Sequence, residues 1–316
     1  MKKNIGNIMT FITTLTLAVL GFVLGGFQLS ELQYDTLMIL GIVCLISMVY
    51  CFVVGEITRN NSQMDKLWSI LPIVYAWIIV IKGDMNVRLI IMAILITLWG
   101  SRLTYNFAKK GAYSIKFWSG EEDYRWIVLR QDPKFNQKWK WALFDLFFIS
   151  IYQNALVLAI CLPLLSTMES SVAFNLWDGL VASLLLGFIL LETIADKQQM
   201  SFQTTKYELL KGNKKLEDLP SPYNKGFNTQ GLWGRSRHPN YFSEQSIWVV
   251  VYLFCITAGV TNYVFFNWTL IGSMFLIILF IGSSQFSEGI SLKKYPEYQD
   301  YIHKVSKYVP LRKYKV

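Results

Sequence analysis

Residues 245–287 decide the fold class; they read QSIWVVVYLFCITAGVTNYVFFNWTLIGSMFLIILFIGSSQFS and contain no charged residue. About 20 apolar residues suffice for one transmembrane helix, so this stretch predicts two spans joined by a turn. The whole chain of 316 residues is 53% hydrophobic and only 16% charged, whereas a soluble domain carries about 25% charged residues. The composition therefore predicts a membrane protein and excludes disordered, collagen-like and disulfide-scaffold proteins.

The charges also predict how the chain crosses the bilayer. Eight apolar segments can be marked, at about 8–27, 37–55, 67–82, 88–107, 142–165, 173–192, 243–261 and 268–286. Lysine and arginine concentrate in loop 108–141, loop 193–242 and the tail after Phe286. In loops 28–36 and 166–172, by contrast, the charged residues are all acidic. Because basic loops stay in the cytoplasm, we predict an all-α, polytopic transmembrane bundle with both termini cytoplasmic. Eight spans are expected, or seven if the first helix is lost or a short pair is re-entrant.

The organisation of the chain predicts one membrane domain with a polar site in its second half. We divide it into amino-terminal transmembrane helices over residues 1–56 and a membrane domain over residues 57–316, with the cofactor site in 192–301. The first apolar segment lacks a small-residue cleavage site, which favours an uncleaved helix over a signal peptide. Location in a bacterial inner membrane is expected.

The sequence predicts that several kinds of partner are absent. The four cysteines lie inside apolar runs and only two histidines exist, so no metal site is expected. No basic run interleaves with exposed aromatic residues, so nucleic acid is not an expected partner either. A glycine-rich phosphate loop is also absent. The expected partners are the lipid bilayer and a lipophilic small molecule.

The densest polar motif is Gly231-Leu-Trp-Gly-Arg-Ser-Arg-His-Pro-Asn-Tyr-Phe-Ser-Glu244. Pro239 suits the first turn of a helix, and Asn240 and Glu244, four residues apart, share one face of it. Arg237 and His238 beside a helix start are typical of an anion site. The alternative is an interfacial anchor with a snorkelling arginine and a capped helix.

A second motif ends the sixth apolar segment, where Glu192 and Asp196 are also four residues apart. Two like charges at membrane depth are costly unless they meet a cation or a ligand. The alternative is that this helix end lies outside the bilayer, where water hydrates both carboxylates. Further polar positions are Asp65 before the third segment, Arg102 near the end of the fourth, and Tyr298 with Tyr301, which fit an amphipathic interfacial helix.

Together these motifs resemble the steroid 5-alpha-reductase superfamily, and most closely an uncharacterised bacterial membrane branch related to the isoprenylcysteine carboxyl methyltransferases. The resemblance covers roughly residues 55 to 310. The motifs that carry it are Arg237-His-Pro-Asn-Tyr-Phe-x-Glu244, Asn-x-x-x-Asp-x-x-Trp over 61–68, Trp-Gly-x-Arg-Leu over 99–103, Glu-Asp-x-Arg over 122–125 and Glu-x-x-x-Asp-x-Gln over 192–198.

The resemblance implies a helical membrane fold whose cytoplasmic half encloses NADPH. The cofactor-binding positions that it implies are Arg102, Glu192, Asp196, Arg237, His238, Asn240, Tyr241 and Glu244. The steroid enzymes hold the substrate carbonyl with a glutamate and a tyrosine, and the resemblance places Asp65 and Trp99 at those positions. Tyr105 is a candidate to replace the missing phenol. Asp65 would be the proton donor or carbonyl polariser if burial raises its pKa.

Two functions compete at this point. The first is an NADPH-dependent reductase of an activated C=C bond in a lipid or steroid-like substrate. The second is an S-adenosylmethionine-dependent methyltransferase acting on a lipid or prenylated group, because the histidine loop and the acidic tail residue Glu288 also resemble the isoprenylcysteine and phospholipid methyltransferases. A non-enzymatic scaffold is a third class, in which the polar motifs are unconnected helix ends.

Overall fold

The structure is a computed structural model that describes residues 2–212 and 214–311. Helices dominate it, and the described residues contain two isolated bridges but no β-strand. The helices are α1 (Lys2–Gly25), α2 (Glu31–Thr58), α3 (Gln63–Leu67), α4 (Leu71–Lys82), α5 (Val87–Lys109), α6 (Tyr124–Arg130), α7 (Lys138–Phe144), a π-helix (Asp145–Tyr152), α8 (Gln153–Ala159), α9 (Leu162–Thr167), α10 (Leu176–Leu209), α11 (Pro239–Thr257), α12 (Leu270–Lys294) and α13 (Tyr298–Lys304). Short 3-10 turns lie at Leu216–Asp218, Tyr223–Lys225 and Gly231–Gly234.

Six stretches of the described chain are long and apolar enough to cross a membrane, and the protein is a multi-pass integral membrane protein. The six stretches are Ile8–Gly25, Glu31–Thr58, Val87–Lys109, Lys138–Thr167, Leu176–Leu209 and Leu270–Lys294. Two predicted segments do not reach that standard. Helix α4 has only 12 residues, and α11 opens with Pro-Asn-Tyr-Phe-Ser-Glu. The count of seven or eight spans and the cytoplasmic termini stay predictions.

The chain forms two compact units. The amino-terminal unit comprises Leu15–Ala182 and Val251–Phe275, and the carboxy-terminal unit comprises Met1–Thr14, Ser183–Val250 and Leu276–Val316. Helices α10, α11 and α12 each run from one unit into the other. The boundary proposed from sequence between residues 56 and 57 stays a prediction.

Within the amino-terminal unit, α4 and α5 form a tightly packed hairpin. A Cβ atom at Gly100 would lie 2.4 Å from the carbonyl oxygen of Ser69, so only glycine lets the two backbones approach this closely. A buried ion pair holds another part of this unit, where Arg88 Nε donates to Asp178 Oδ1 over 2.9 Å. Both side chains are almost completely excluded from solvent. A buried pair of this kind is costly to break, since removing one partner leaves an unpaired charge.

The fourth of these membrane stretches, Lys138–Thr167, is interrupted by the π-helix. Its eight residues, Asp145–Tyr152, join α7 to α8. Segments of this type are rare in α-helical proteins and occur often at functional sites, because the extra residue per turn reorients side chains.

Within the carboxy-terminal unit, α13 packs against the loop that follows α10. Phe227, Tyr298, Tyr301, Ile302 and Val305 form a buried cluster. Tyr298 and Tyr301 are only 6% and 1% exposed, so both rings lie on one buried face of α13, as their spacing of three residues predicts. Their rings pack against Phe227, and the interfacial position of this helix stays a prediction.

Candidate functional site

The candidate site of the carboxy-terminal unit lies where α10 meets α11. Asn240, in the first turn of α11, donates from its Nδ2 to Asp196 Oδ1 of α10 over 3.3 Å. Since a carboxylate accepts hydrogen bonds and an amide nitrogen donates them, this contact sets the orientation of the Asn240 side chain. Asn240 Oδ1 is buried and has no hydrogen-bond donor among the residues that the structure describes.

More acceptors line the same surfaces. Gln199 lies one turn beyond Asp196 along α10. Glu192, Asp196 and Gln199 therefore share one helix face. Gln199 Oε1 is also buried and without a donor in the described part of the chain. Gln199 was not predicted from the sequence, although its position seven residues after Glu192 carries the same signal. This surface is rich in acceptors, which suits a ligand with N–H or O–H donors.

Glu244 lies one turn beyond Asn240 and is almost fully buried. Trp248 Nε1 donates to Glu244 Oε1 over 3.3 Å, within the same helix. The predicted shared face of Asn240 and Glu244 is therefore present on α11, because the spacing of four residues is realised in a regular helix.

Arg237 and His238 are both held by the tail. Arg237 Nε donates to Glu288 Oε1 over 2.6 Å, and Nη1 donates to the carbonyl oxygens of Ile302 and Val305 over 3.0 and 2.6 Å. His238 Nε2 lies 3.1 Å from the same Glu288 oxygen. The sequence suggested each residue, but not this contact between the loop and α12. The guanidinium fastens the tail onto the loop, and its role toward a phosphate stays a prediction.

The surroundings of His238 keep the imidazole neutral. Burial lowers the pKa of His238, because the charged ring would lose its hydration, and the hydrogen bond to Glu288 only partly opposes this. Tyr241, another predicted cofactor residue, stacks on the ring with centroids 5.1 Å apart. Phe280 of α12 packs edge-on against Tyr241. His238, Tyr241 and Phe280 thus form one packed aromatic group beside Glu288.

The Gly231-Leu-Trp motif locks the loop onto α10. Gly231 has a φ of +58°, and a Cβ there would lie 2.6 Å from the Gln198 side chain. Leu232 N donates to Gln198 Oε1 over 2.9 Å, and Trp233 Nε1 donates to the carbonyl oxygen of Ala195 over 2.9 Å. Glycine suits position 231 because it adopts this left-handed backbone angle without strain and leaves room for the Gln198 side chain.

The substrate-side residues predicted from the resemblance lie in the amino-terminal unit. Asp65 accepts a hydrogen bond from Trp126 Nε1 over 2.7 Å and lies 3.4 Å from Arg125 Nη2. Burial raises the pKa of Asp65, and the Arg125 cation opposes the rise. The motifs at 61–68 and 122–125 are thereby joined, since Asp123 N also donates to Ser62 Oγ over 2.8 Å. The sequence predicted both motifs but not their contact.

The three remaining predicted residues are on α5 and differ in exposure. Trp99 is fully buried and Tyr105 is 59% exposed. Arg102 lies between these extremes. The ammonium group of Lys109 lies 4.5 Å from the centre of the Tyr105 ring. Their catalytic and cofactor-binding roles stay predictions.

Comparison with known proteins places these motifs in a single family. Residues 51–305 match the family model described as "Protein of unknown function (DUF1295)". The chain belongs to the DUF1295 family. It is also similar to the uncharacterized protein C594.04c of Schizosaccharomyces pombe (strain 972 / ATCC 24843), with 34% identity over 286 residues that cover 84% of this chain and 79% of that protein. No solved structure matches the chain significantly.

The matched range extends from the end of α2 to α13 and contains every predicted site residue of this DUF1295 chain. The fungal relative shows that similar proteins are not confined to bacteria. Bacterial inner-membrane localisation therefore stays a prediction, whereas the integral membrane character does not depend on the organism.

This DUF1295 member has one further cavity that the sequence did not indicate. It has a volume of about 580 Å³ and is lined by Lys197, Gln198, Ser201, Phe202 and Tyr223, among others. Because Gln198 is two residues beyond Asp196, the cavity lies on the other side of α10 from the acceptor-rich surface. The Phe202 and Tyr223 rings stack at 5.2 Å. No group of three metal-ligating side chains occurs in the described ranges, 2–212 and 214–311.

Proposed function

We propose that this chain is an integral-membrane, NADPH-dependent reductase of the steroid 5-alpha-reductase type. Its substrate is an activated C=C bond in a lipid or steroid-like molecule. The observation that carries the proposal is the buried Asn240 Oδ1, which has no donor among the described residues. Leaving such an acceptor unsatisfied costs about 1–3 kcal/mol, so the position favours a ligand that brings an N–H group.

The residues around Asn240 fit a nicotinamide carboxamide. A carboxamide offers two N–H donors and one acceptor, and Asn240 Oδ1 takes one donor while Asp196 keeps the Asn240 amide in place. Glu192 and Glu244 supply acceptors for ribose hydroxyls on the faces of α10 and α11. Arg237 and His238 are the proposed phosphate-side residues of the carboxy-terminal unit, and Tyr241 stacks on His238. Arg102, on α5, is proposed separately as a cofactor-binding residue. When bound, NADPH supplies the hydride.

The protein must also supply a proton or polarise the substrate carbonyl. Asp65 is the proposed donor, because burial raises its pKa and so favours the protonated form. Trp99 offers an indole N–H, which donates but cannot relay a proton. Tyr105 is the alternative phenol, and its exposure makes it the easiest of the three to test by substitution.

The test is NADPH binding by detergent-purified protein, measured by energy transfer from tryptophan to the reduced nicotinamide. We expect Asn240→Ala to weaken binding about tenfold, as the loss of a hydrogen bond in a buried site does. Asn262→Ala changes an exposed asparagine of the amino-terminal unit and serves as the matched control. If the wild-type protein does not bind NADPH, or if both variants bind equally well, the proposal is wrong.

A methyltransferase is the second candidate, and one observation favours it. The residues that this function would use, His238 and Glu288, are in contact at 3.1 Å. A thermal-shift experiment with NADPH and with S-adenosylmethionine separates the two functions, because a ligand that binds only the native state raises its melting temperature. Stabilisation by S-adenosylmethionine alone would replace the reductase proposal by the methyltransferase.

A further inference from the structure

An apolar groove lies between α2 and the helices that follow the π-helix, entirely within the amino-terminal unit. Its volume is about 370 Å³, and its lining consists of four residues within 41–48 of α2 and four within 155–162 of α8 and α9. The lining side chains are Leu, Met, Ala and Cys, with Gly41 adding open space. Leu45 at the edge is 60% exposed, so the groove opens on the outer surface of α2.

Polar groups begin immediately beyond one end of this groove. Asn154 is fully buried, and its Nδ2 donates to the carbonyl oxygen of Ser150 over 2.7 Å. The same nitrogen lies 3.7 Å from Cys51 Sγ of α2. Ser150 Oγ in turn donates to Asp145 Oδ1 over 3.3 Å. A buried polar chain thus runs along the π-helix to the start of α8.

One atom in this series of buried polar side chains lacks a hydrogen-bond partner. Because Nδ2 of Asn154 is committed to a carbonyl oxygen, its Oδ1 must be the acceptor. Asn154 Oδ1 has no hydrogen-bond donor in the described part of the chain. Buried polar atoms are nearly always hydrogen-bonded, and inside a membrane span there is no bulk water to compensate. The position therefore calls for a donor from outside the protein.

Helical spacing joins Asn154 to the groove. Asn154 and Leu158, a lining residue, are four residues apart on α8, and Met48 and Cys51 are three apart on α2. Residues at these spacings lie on the same helix face. Neither Cys51 nor Asn154 is a lining residue, but their contact lies one helix turn beyond Met48 and Leu158, next to one end of the groove.

We propose that this groove binds a lipid alcohol, with its hydroxyl group donating to Asn154 Oδ1 and its hydrocarbon chain along α2 and α8. The hydroxyl meets an acceptor that has no donor among the described residues, and the hydrocarbon chain covers apolar surface that offers it no competing polar contact. A charged headgroup does not fit, because no side chain of opposite charge lines the groove. The inference goes beyond the proposed function, because binding of the lipid alcohol does not depend on a reductase activity.

The experiment uses full-length protein in phosphatidylcholine vesicles and two photoreactive probes. The first is a long-chain primary alcohol with a diazirine in its chain, and the second is its methyl ether, which has lost the donor. We expect the alcohol to label peptides of α2 and α8 more strongly than the ether does. In Asn154→Leu, apparent affinity for the alcohol should fall about fivefold, to that of the ether, which corresponds to ~1 kcal/mol for a hydrogen bond.

Filling the groove tests the chain-binding part. A Cβ atom at Gly41 would meet no other atom within 4 Å, so Gly41→Leu is expected to fold and to reduce labelling by both probes. Gly187→Leu is the matched control, because Gly187 also lies in a membrane-spanning helix with open space around it. Its labelling should equal that of the wild type.

Three outcomes would overturn the inference. Equal labelling by the alcohol and the ether would show that the hydroxyl makes no hydrogen bond in the groove. Unchanged affinity for the alcohol in Asn154→Leu would show that water satisfies the Asn154 acceptor. Unchanged labelling in Gly41→Leu would show that the lipid binds elsewhere. NADPH binding is measured on the same samples and should not change with either variant. Loss of NADPH binding in the wild type, with labelling retained, would refute the reductase alone.

Discussion

His238 shows how one buried side chain couples the loop to pH. Its imidazole is neutral, donates to Glu288 and stacks on Tyr241. Burial lowers its pKa below the ordinary value of about 6.5. In the unfolded chain the ring takes up a proton at a higher pH than in the folded protein. The contribution of His238 to stability is therefore present above about pH 6.5 and is lost as the pH falls below it.

The first prediction concerns this histidine. We expect the melting temperature in detergent to fall between about pH 7 and pH 5, and the fall to be smaller in His238→Gln, which keeps a donor but does not titrate. The melting temperature is read from tryptophan fluorescence. His303→Gln, which changes the exposed histidine of α13, is the control and should retain the wild-type profile. Identical pH profiles for wild type and His238→Gln would refute the role of His238.

The second prediction concerns Arg237 and Glu288. Removing one charge of a buried pair leaves the other uncompensated, at a cost of about 3–5 kcal/mol. We expect Arg237→Met and Glu288→Gln each to destabilise strongly, and the double variant to be less affected than the sum of the two. A double-mutant cycle on unfolding in mixed micelles measures the coupling. Strict additivity would show that the 2.6 Å contact carries no interaction energy.

At the scale of elements, the close approach of α4 and α5 depends on a missing side chain. Gly100 lies in the middle of α5, where alanine would ordinarily add about 1 kcal/mol of helix stability. Its Cβ, however, would lie 2.4 Å from Ser69 O and 2.8 Å from Ile73 Cδ1. A backbone carbonyl oxygen cannot move aside as a flexible side chain can.

The third prediction is that the clash outweighs the gain in propensity. Gly100→Ala should lower the melting temperature, since overpacking costs about 1–3 kcal/mol. Gly187→Ala, also within a membrane-spanning helix but with open space around it, should be neutral or slightly stabilising. Differential scanning fluorimetry of the two variants gives the comparison. A Gly100→Ala protein as stable as the wild type would mean that α4 and α5 can separate without cost.

At the scale of the whole molecule, the distribution of charge predicts which loops face the cytoplasm. Basic residues are kept on the cytoplasmic side during insertion. Loop 108–141 carries eight of them, and loop 166–172 carries only Glu169. All four native cysteines are buried, so an introduced thiol can be read against a low background.

The fourth prediction concerns this orientation. We expect Ser171→Cys, at an exposed position, to react with a membrane-impermeant maleimide in intact cells. Lys134→Cys, also exposed, should react only after the membrane has been opened. Gel-shift or mass detection of the labelled protein reports both. The reverse pattern would invert the predicted topology and place the termini outside.

Composition and charge were enough to predict the helical class, because long uncharged stretches have no other stable form in a bilayer. They did not define the number of spans. Helix α4 is short, and α11 begins with polar residues, and neither length nor hydropathy decides whether such helices cross. For that decision the packing of neighbouring helices is needed.

The candidate site was predictable where its residues are close in sequence. Glu192 and Asp196 share one face of α10, and Asn240 and Glu244 share one face of α11, as a spacing of four residues requires in a helix. Contacts between distant residues were not predictable. Arg237 meets Glu288 and Asp65 meets Trp126 only through tertiary packing, and a single sequence carries no record of such pairs.

The attachment of the tail to the histidine loop has a consequence for biosynthesis. Arg237 N and His238 N donate to the carbonyl oxygens of Ser306 and Lys307 over 2.9 and 3.1 Å. These tail residues are translated well after the loop, so the loop cannot be completed while the ribosome still holds them. Until then, Arg237 lacks its carbonyl partners in the tail, which are Ile302, Val305 and Ser306. A chain that stops short of Val305 would carry every membrane span yet expose this half-assembled loop to cellular proteases.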